Sequence, residues 1–274
     1  MIENETRKLQ LTELQILKDV ADFCEENDIV YFLYGGTMIG AARHQGFIPW
    51  DDDIDIWMDL KNYKKFLKLS KKLPSKYFVQ NYKTDRKCCY PWTKVMLNGT
   101  TLIHNGMQSY DIHQGIYIDV FMINGIADGK VRRKIQNRAL KIKRHLLRKY
   151  FAIEVRKEVP SKWVNVIPEF LRRPLIYAME VLSNIDPFKC ETCYGNDHPS
   201  IGMAPIYKSK MYLPQNMIKI WFEGSEFYCP QKYKDFLSIT FGDWQKLPPK
   251  EQRVNHNNCI IDFHKNYTEY IKSD

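Results

Sequence analysis

Four carboxylates fall within five residues at Asp51-Asp52-Asp53-Ile54-Asp55. Like charges this close repel and raise one another's pKa unless a cation neutralises them. On a β-strand alternate residues share a face, so Asp53 and Asp55 point the same way, and Asp51 joins them if the strand begins early. Two oxygen donors on one face suit Mg2+, with Mn2+ as the alternative, because such an ion keeps waters and takes further ligands from substrate phosphates. The competing reading is a solvated acidic turn. Ile54, Ile56 and Trp57 argue against it, since these flanks have buried character.

Asp119 stands alone inside the run Ile116-Tyr117-Ile118-Asp119-Val120-Phe121. An isolated carboxylate in a buried strand is costly unless it is paired or bound to metal. A neighbouring strand would bring it beside Asp53 and Asp55; pairing with an arginine or capping a loop is the other reading. Gly35-Gly36-Thr37 closes an apolar run and opens a helix, where unpaired N–H groups can receive an anion and glycines let a phosphate approach.

These residues need elements to position them. Thr12-Glu13-Leu14-Gln15 has the form of a capping box, and Leu14, Leu17, Ala21 and Cys24 continue it at helical spacing to about Asn27. Ile29–Leu33 reads as a strand, and Thr37 caps a short helix through Ala42. Asp53–Met58 is a strand with one wet face, Asp59–Leu73 a helix stopped by Pro74, and Tyr77–Tyr82 a strand. Asn98-Gly99 predicts a hairpin between 95–97 and 101–103, and 116–121 is a further strand. Val131, Ile135, Ala139, Ile142, Leu146, Tyr150 and Ile153 recur by three and four, predicting one long amphipathic helix from Lys130 to about Val155. Helices follow at about 171–182 and 233–240, with a hairpin about Gly224-Ser225 between them.

The chain has 274 residues, 44% hydrophobic and 27% charged, an ordinary globular composition. Its start carries mixed charges and no apolar leader, and seven scattered cysteines suggest reduced thiols, so the expectation is a cytoplasmic protein. Of the 41 basic residues, twelve lie between Lys130 and Lys157, against one of the 32 acidic ones. The net charge of +9 is therefore local. A basic amphipathic helix reads as a surface for an anionic membrane, and no nucleic acid is expected. Cys190 and Cys193 form C-x-x-C without a second close pair, which disfavours zinc.

The stretch from Gly35 through Gly46-Phe47-Ile48-Pro49-Trp50-Asp51 to Ile56 resembles the signature of the LicD family of phosphocholine transferases, related to the fukutin group. Ile118-Asp119-Val120-Phe121 resembles its later metal strand. Phe241-Gly242-Asp243-Trp244 with Leu247-Pro248-Pro249, Arg253 and His256 resembles its C-terminal signature. The resemblance implies an α+β fold, a nucleotidyltransferase-like mixed sheet core with flanking helices and a basic, mainly helical insertion. The core would occupy 1–128, the basic segment 129–214, and 215–274 would complete the core. The implied activity is transfer of a phospho-alcohol, most often phosphocholine from CDP-choline, onto a sugar hydroxyl of a lipid-linked or cell-surface glycan or a teichoic acid precursor. It would work at the inner face of the plasma membrane. Asp53, Asp55 and Asp119 would be the catalytic and metal carboxylates, with Asp51 a further motif carboxylate. Gly35, Gly36, Thr37, Arg43, Arg253 and His256 would bind substrate phosphate, a structural salt bridge being the other role open to Arg43. A choline head would need aromatic faces, for which Tyr90, Trp92, Tyr110, Tyr117, Trp221 and Trp244 are candidates. Alternatives are nucleotidyl transfer, another phospho-alcohol, or a membrane- or nucleic-acid-binding protein with an inactive site.

Overall fold

The computed structural model describes residues 2–148, 162–197, 201–253 and 259–271. Helix α1 (Ile2–Glu26) begins well upstream of Thr12, whose hydroxyl donates to the Lys8 carbonyl at 2.9 Å instead of capping. Packing decides this: Leu9, Ile16, Leu17, Val20 and Cys24 bury one long stripe, which outweighs a local cap signal. Thr6, Gln10 and Glu13 are buried too, one turn apart on a single face.

Strand β1 (Phe32–Leu33), helix α2 (Gly35–His44), strand β2 (Asp55–Asp59) and helix α3 (Leu60–Leu69) follow. Asp59 caps α3 by accepting the Lys61 and Asn62 N–H groups, and the helix tightens into a 3-10 turn at Ser70–Lys72 before Pro74. Next come β3 (Tyr77–Gln80), β4 (Thr93–Leu97), β5 (Thr101–His104) and β6 (Tyr117–Gly125). The main sheet runs β1-β2-β6-β4-β3, with β2 and β6 parallel and the other neighbours antiparallel. It is a mixed α+β architecture. Strand β6 is central and buried at every position.

The turn at Asn98-Gly99 is present, but the predicted hairpin is not: β4 pairs with β3 and β6, while β5 pairs with β11 (Cys259–Asp262). Ile116 separates the two arms. Its carbonyl accepts the Leu97 N–H at 2.7 Å and its N–H donates to Thr100 Oγ1 at 2.9 Å.

Helix α4 (Lys130–Leu147) packs along α6 (Glu169–Ser183), with the short α5 (Lys162–Val166) between them in sequence. The expected inward stripe is largely wrong, because Val131, Ile135 and Ile142 face solvent. Ala139 and Leu146 face inward as expected, joined by Gln136, Lys143 and Leu147. Gln136 sets the rotation: its amide donates to the Gly125 and Ser183 carbonyls and accepts from Ala127 N–H. The stretch of the predicted helix beyond Arg148 lies outside the described residues.

The chain then returns to the sheet, where β7 (Thr192–Gly195) pairs with β6 at Ile123–Gly125, beyond the reach of β4, and with β8 (Tyr207–Lys208). Strands β9 (Met217–Phe222) and β10 (Ser225–Pro230) form a hairpin. Its turn is Glu223-Gly224, both at positive φ, one residue before the predicted position. Glu223 is gripped by Arg7 through two bonds of 3.0 and 2.6 Å, which ties the hairpin to α1. Helix α7 (Tyr233–Phe241) contributes Phe236 to an aromatic core around Trp57, on which Tyr34 stacks at 3.9 Å.

Gly40 in α2 is a tight joint of this scaffold. A Cβ there would collide with the carbonyl of Gly46 and stand 3.2 Å from the N of Ile48, both main chain leading to the acidic run. Gly40→Ala is expected to lose about 1–3 kcal/mol, lowering Tm by roughly 2–4 °C per kcal/mol in thermal unfolding. Gly202→Ala, where a Cβ meets nothing within 4 Å, should leave Tm unchanged.

Candidate active site

Burial alternates along the acidic run: Asp52, Ile54 and Ile56 are buried, while Asp51, Asp53 and Asp55 are half-buried. The glycine pair explains how the run sits. A Cβ on Gly35, at φ +57°, would strike the Asp55 carboxylate, and one on Gly36 would strike that of Asp51. Two carboxylates of the run thus rest on the first turn of α2, where unpaired N–H groups carry partial positive charge. Thr37, expected to cap α2 and line a phosphate site, accepts the Asp55 N–H on its Oγ1 at 2.9 Å and locks strand to helix. Burial, then Asp53, Asp119 and Asp51, push the Asp55 pKa well above the carboxylate range.

The sheet extends this site into a row. Asp55 stands opposite Asp119 in the β2–β6 pair, and Asp119 stands opposite Lys94 in the β6–β4 pair. Lys94 Nζ is 2.8 Å from Asp119 Oδ1, and Trp92 Nε1 donates to the same oxygen at 2.8 Å. Burial raises the Asp119 pKa, opposed by the Lys94 ammonium and by the bonds from Lys94 and Trp92. Asp119 therefore has a paired partner, a lysine rather than an arginine. Lys94 is 3% exposed, with its ammonium 3.3 Å from the Tyr117 ring centroid, 4.6 Å from Tyr90 and 5.9 Å from Trp92. Three of the six aromatic candidates thus converge, and they enclose the chain's own cation. Tyr110 belongs to a separate cluster with Cys89 and Met107, Trp221 is exposed on β9, and Trp244 is buried near α2.

Helix α1 adds two residues that the sequence reading missed. Gln10 donates to the Asp51 carbonyl at 2.7 Å, pinning the head of the acidic run. Glu13 is buried with its Oε2 lacking a hydrogen-bond partner. Burial, then the charges of Asp53, Asp52, Asp51 and Asp119, push its pKa well up. The polar spacing of Thr6, Gln10 and Glu13 was the available signal, hidden by reading Glu13 as part of a cap.

The remaining expected residues divide. Arg43 Nη1 donates to the Trp244 carbonyl at 2.7 Å and its Nε to the His44 ring at 3.0 Å, so it fastens the C-terminal signature to α2. Arg253 stacks on Trp50 at 5.1 Å, beside the head of the acidic run. His256 lies outside the described residues. A cavity of about 150 Å³ opens beside Trp92, lined by Tyr90, Pro91, Arg144, Arg148 and Asp197. Arg144 and Arg148 reach it from the C-terminal end of the basic helix.

The donor set suits a hard divalent cation: crowded carboxylates that raise one another's pKa, and a buried Glu13 oxygen without a partner. Among the described residues no three His, Cys, Asp or Glu side chains are grouped closely enough to hold an ion by themselves. Asp53 and Asp55 would hold the ion, with Asp51 beside them. Asp119 has its Oδ1 committed to Lys94 and Trp92.

Lys94→Met should strand a buried carboxylate and cost about 3–5 kcal/mol in urea unfolding. Adding Asp119→Asn should recover much of that loss, giving a clear coupling energy in the double-mutant cycle. Glu13 supplies a second expectation. Its folded pKa is raised, so its contribution to stability is complete below the unfolded value of 4.5 and is lost as pH rises through the folded value. With cations chelated, Glu13→Gln should melt above the parent at pH 8, and the gap should close toward pH 4.

Residues 28–148 match the family described as LicD/FKTN/FKRP, nucleotidyltransferase domain. The match holds the glycine turn, the acidic run, Lys94 and Asp119, and continues into the basic helix. The chain is 28% identical over 266 residues to the lipopolysaccharide cholinephosphotransferase LicD of Haemophilus influenzae, covering 92% of this chain and 95% of that one. It is 47% identical over 49 residues to an uncharacterized protein of Rickettsia prowazekii, 18% of each chain. It is also 38% identical over 53 residues to the human ribitol 5-phosphate transferase FKRP, 18% of this chain and 11% of that one. The chain thus carries a LicD/FKTN/FKRP nucleotidyltransferase domain over residues 28–148 and resembles the Haemophilus protein nearly end to end.

Proposed function

We propose that this protein is a divalent-cation-dependent phosphotransferase that moves phosphocholine from CDP-choline onto a sugar hydroxyl of a surface glycan. The observation that carries this reading is the carboxylate row on β2 and β6, within a chain similar over 92% of its length to a cholinephosphotransferase. A second reading keeps the site and changes the alcohol to ribitol 5-phosphate, favoured by the 53-residue likeness to FKRP.

Asp53 and Asp55, with Asp51 beside them, would hold Mg2+. The ion, when bound, supplies neutralisation of the donor's diphosphate and of the charge on the leaving nucleotide. Arg253, braced on Trp50, approaches the same phosphates from the head of the acidic run. Arg144 and Arg148 bind phosphate oxygens in the adjoining cavity, whose Tyr90 and Trp92 wall, backed by Lys94, borders the alcohol's head group. Asp119 is the acceptor's proton sink, oriented by Lys94 and Trp92 through its other oxygen. The acceptor oxygen bonds to phosphorus as the bond to the departing CMP oxygen breaks, and the hydroxyl proton passes to the carboxylate. In such a loose, in-line transfer, positioning and electrostatics carry most of the rate.

Incubation with Mg2+ and labelled CDP-choline, CDP-ribitol or nucleoside triphosphates, scoring released CMP or pyrophosphate, separates the readings. CMP release from CDP-choline is expected. Asp53→Asn and Asp55→Asn should each lower turnover about 10²–10³-fold with unchanged circular dichroism. Near-parental turnover in either variant would remove that residue from the metal site.

A further inference from the structure

Helix α6 is inside out. Arg172 is 1% exposed, donating to the Leu146 and Arg86 carbonyls and to Glu169 at 3.1 Å. Arg173 donates to the Tyr82 and Lys83 carbonyls. Glu180 receives Lys83 and the buried Lys143 of α4. All four charges of the helix thus turn toward the protein. The side facing out carries Phe170, Leu171, Leu175, Tyr177, Val181 and Leu182, with Phe170 76% and Val181 61% exposed. At about 100° per residue these side chains share one arc of roughly 160°, and no charged residue of α6 interrupts it. Trp163 and Val166 of α5 are also exposed, Val166 at 81%, as are Val131, Ile135 and Ile142 of α4. Beside this surface α4 carries eight Lys or Arg and no acid.

We propose that this face docks the protein onto an anionic lipid bilayer, lying in its surface with α6 immersed and the basic edge of α4 against the headgroups. The proposal does not rest on the phosphotransfer reading. An isolated apolar residue on a surface is ordinary, but a contiguous charge-free face marks an interface. Its polarity is that of a helix at a membrane surface: aliphatic and aromatic outward, cations along the border. Among the described residues no helix is long and apolar enough to cross a membrane, so the contact is interfacial. A second copy fits poorly, since a two-fold contact sets the same patch against itself and would bring two acid-free basic helices together. Nucleic acid would engage the cations and leave the apolar face wet. The sequence predicts a contact through the basic helix alone; the structure moves its apolar part onto α6.

The test is co-sedimentation of the full-length protein with sucrose-loaded vesicles of phosphatidylcholine, with and without about one third phosphatidylglycerol. Parent protein should pellet with the anionic vesicles. Phe170→Gln with Val181→Gln should lower the partition coefficient at least about tenfold with Tm unchanged, since both side chains are already in water. Arg138→Gln with Lys141→Gln should remove much of the preference for anionic lipid, about 1 kcal/mol or fivefold per charge. Equal pelleting of parent and Phe170→Gln/Val181→Gln would overturn the proposal. So would a parent that ignores vesicles but dimerises in sedimentation equilibrium until Phe170 is changed.

Discussion

Crowding five carboxylates, Asp51, Asp52, Asp53, Asp55 and Asp119, around one sheet edge and one helix start is the constraint that the surrounding structure answers. Two unit charges 4 Å apart repel by about 4 kcal/mol at an effective dielectric of 20. Each neighbour offsets part of this. The carboxylates of Asp55 and Asp51 lie so close to Gly35 and Gly36 in the first turn of α2 that neither glycine tolerates a side chain. Lys94 and Trp92 hold Asp119. Gln10 and Thr37 bond only to main chain of the run, fixing its path without neutralising it. The field of Asp53, Asp52, Asp51 and Asp119 is felt even at Glu13, whose pKa burial and these charges push up.

The same demand for a fixed acidic run explains why distant parts of the chain close over it. Arg43 joins α2 to the Trp244 loop, Arg253 stacks on Trp50, and Arg7 clasps the Glu223 turn, whose side chain also accepts the Phe47 N–H at 3.1 Å. Each brace lands within a few residues of Gly46–Asp51. The C-terminal signature therefore acts first as a clamp on the loop that delivers the carboxylates. This accounts for cationic motif residues whose hydrogen bonds go to carbonyls.

Much of this was legible because it is local. Alternation placed β2, although the strand opens at Asp55 and not at Asp53, and an isolated acid in an apolar run marked Asp119 as needing a partner. What failed was choice among partners far apart in sequence. Asn98-Gly99 makes its turn, yet Ile116 intervenes and the arms pair elsewhere. Lys94 was not singled out in the sequence, because its three aromatic neighbours come from a loop and another strand. Val131, Ile135 and Ile142 have the spacing of a core stripe, but spacing cannot show that Gln136 has three buried bonds to satisfy and turns the helix accordingly.

Helices α4 and α6 share one polarity problem. Their contact holds Lys143 against Glu180 at 3.7 Å and buries Arg172, although well-packed apolar groups in such places are commonly as stable or more so. The apolar residues that could fill that seam exist on both helices, yet they point the other way. A rotation of α6 by half a turn would bury Phe170, Val181 and Leu182 and return four charges to water. Hydrophobic burial favours that rotation in water alone. The observed orientation is held by Arg172 and Arg173 reaching the carbonyls of Leu146, Arg86, Tyr82 and Lys83. Arg172 and Arg173 thus fix which face of α6 looks outward, and the exposed apolar face follows from the bonds they make.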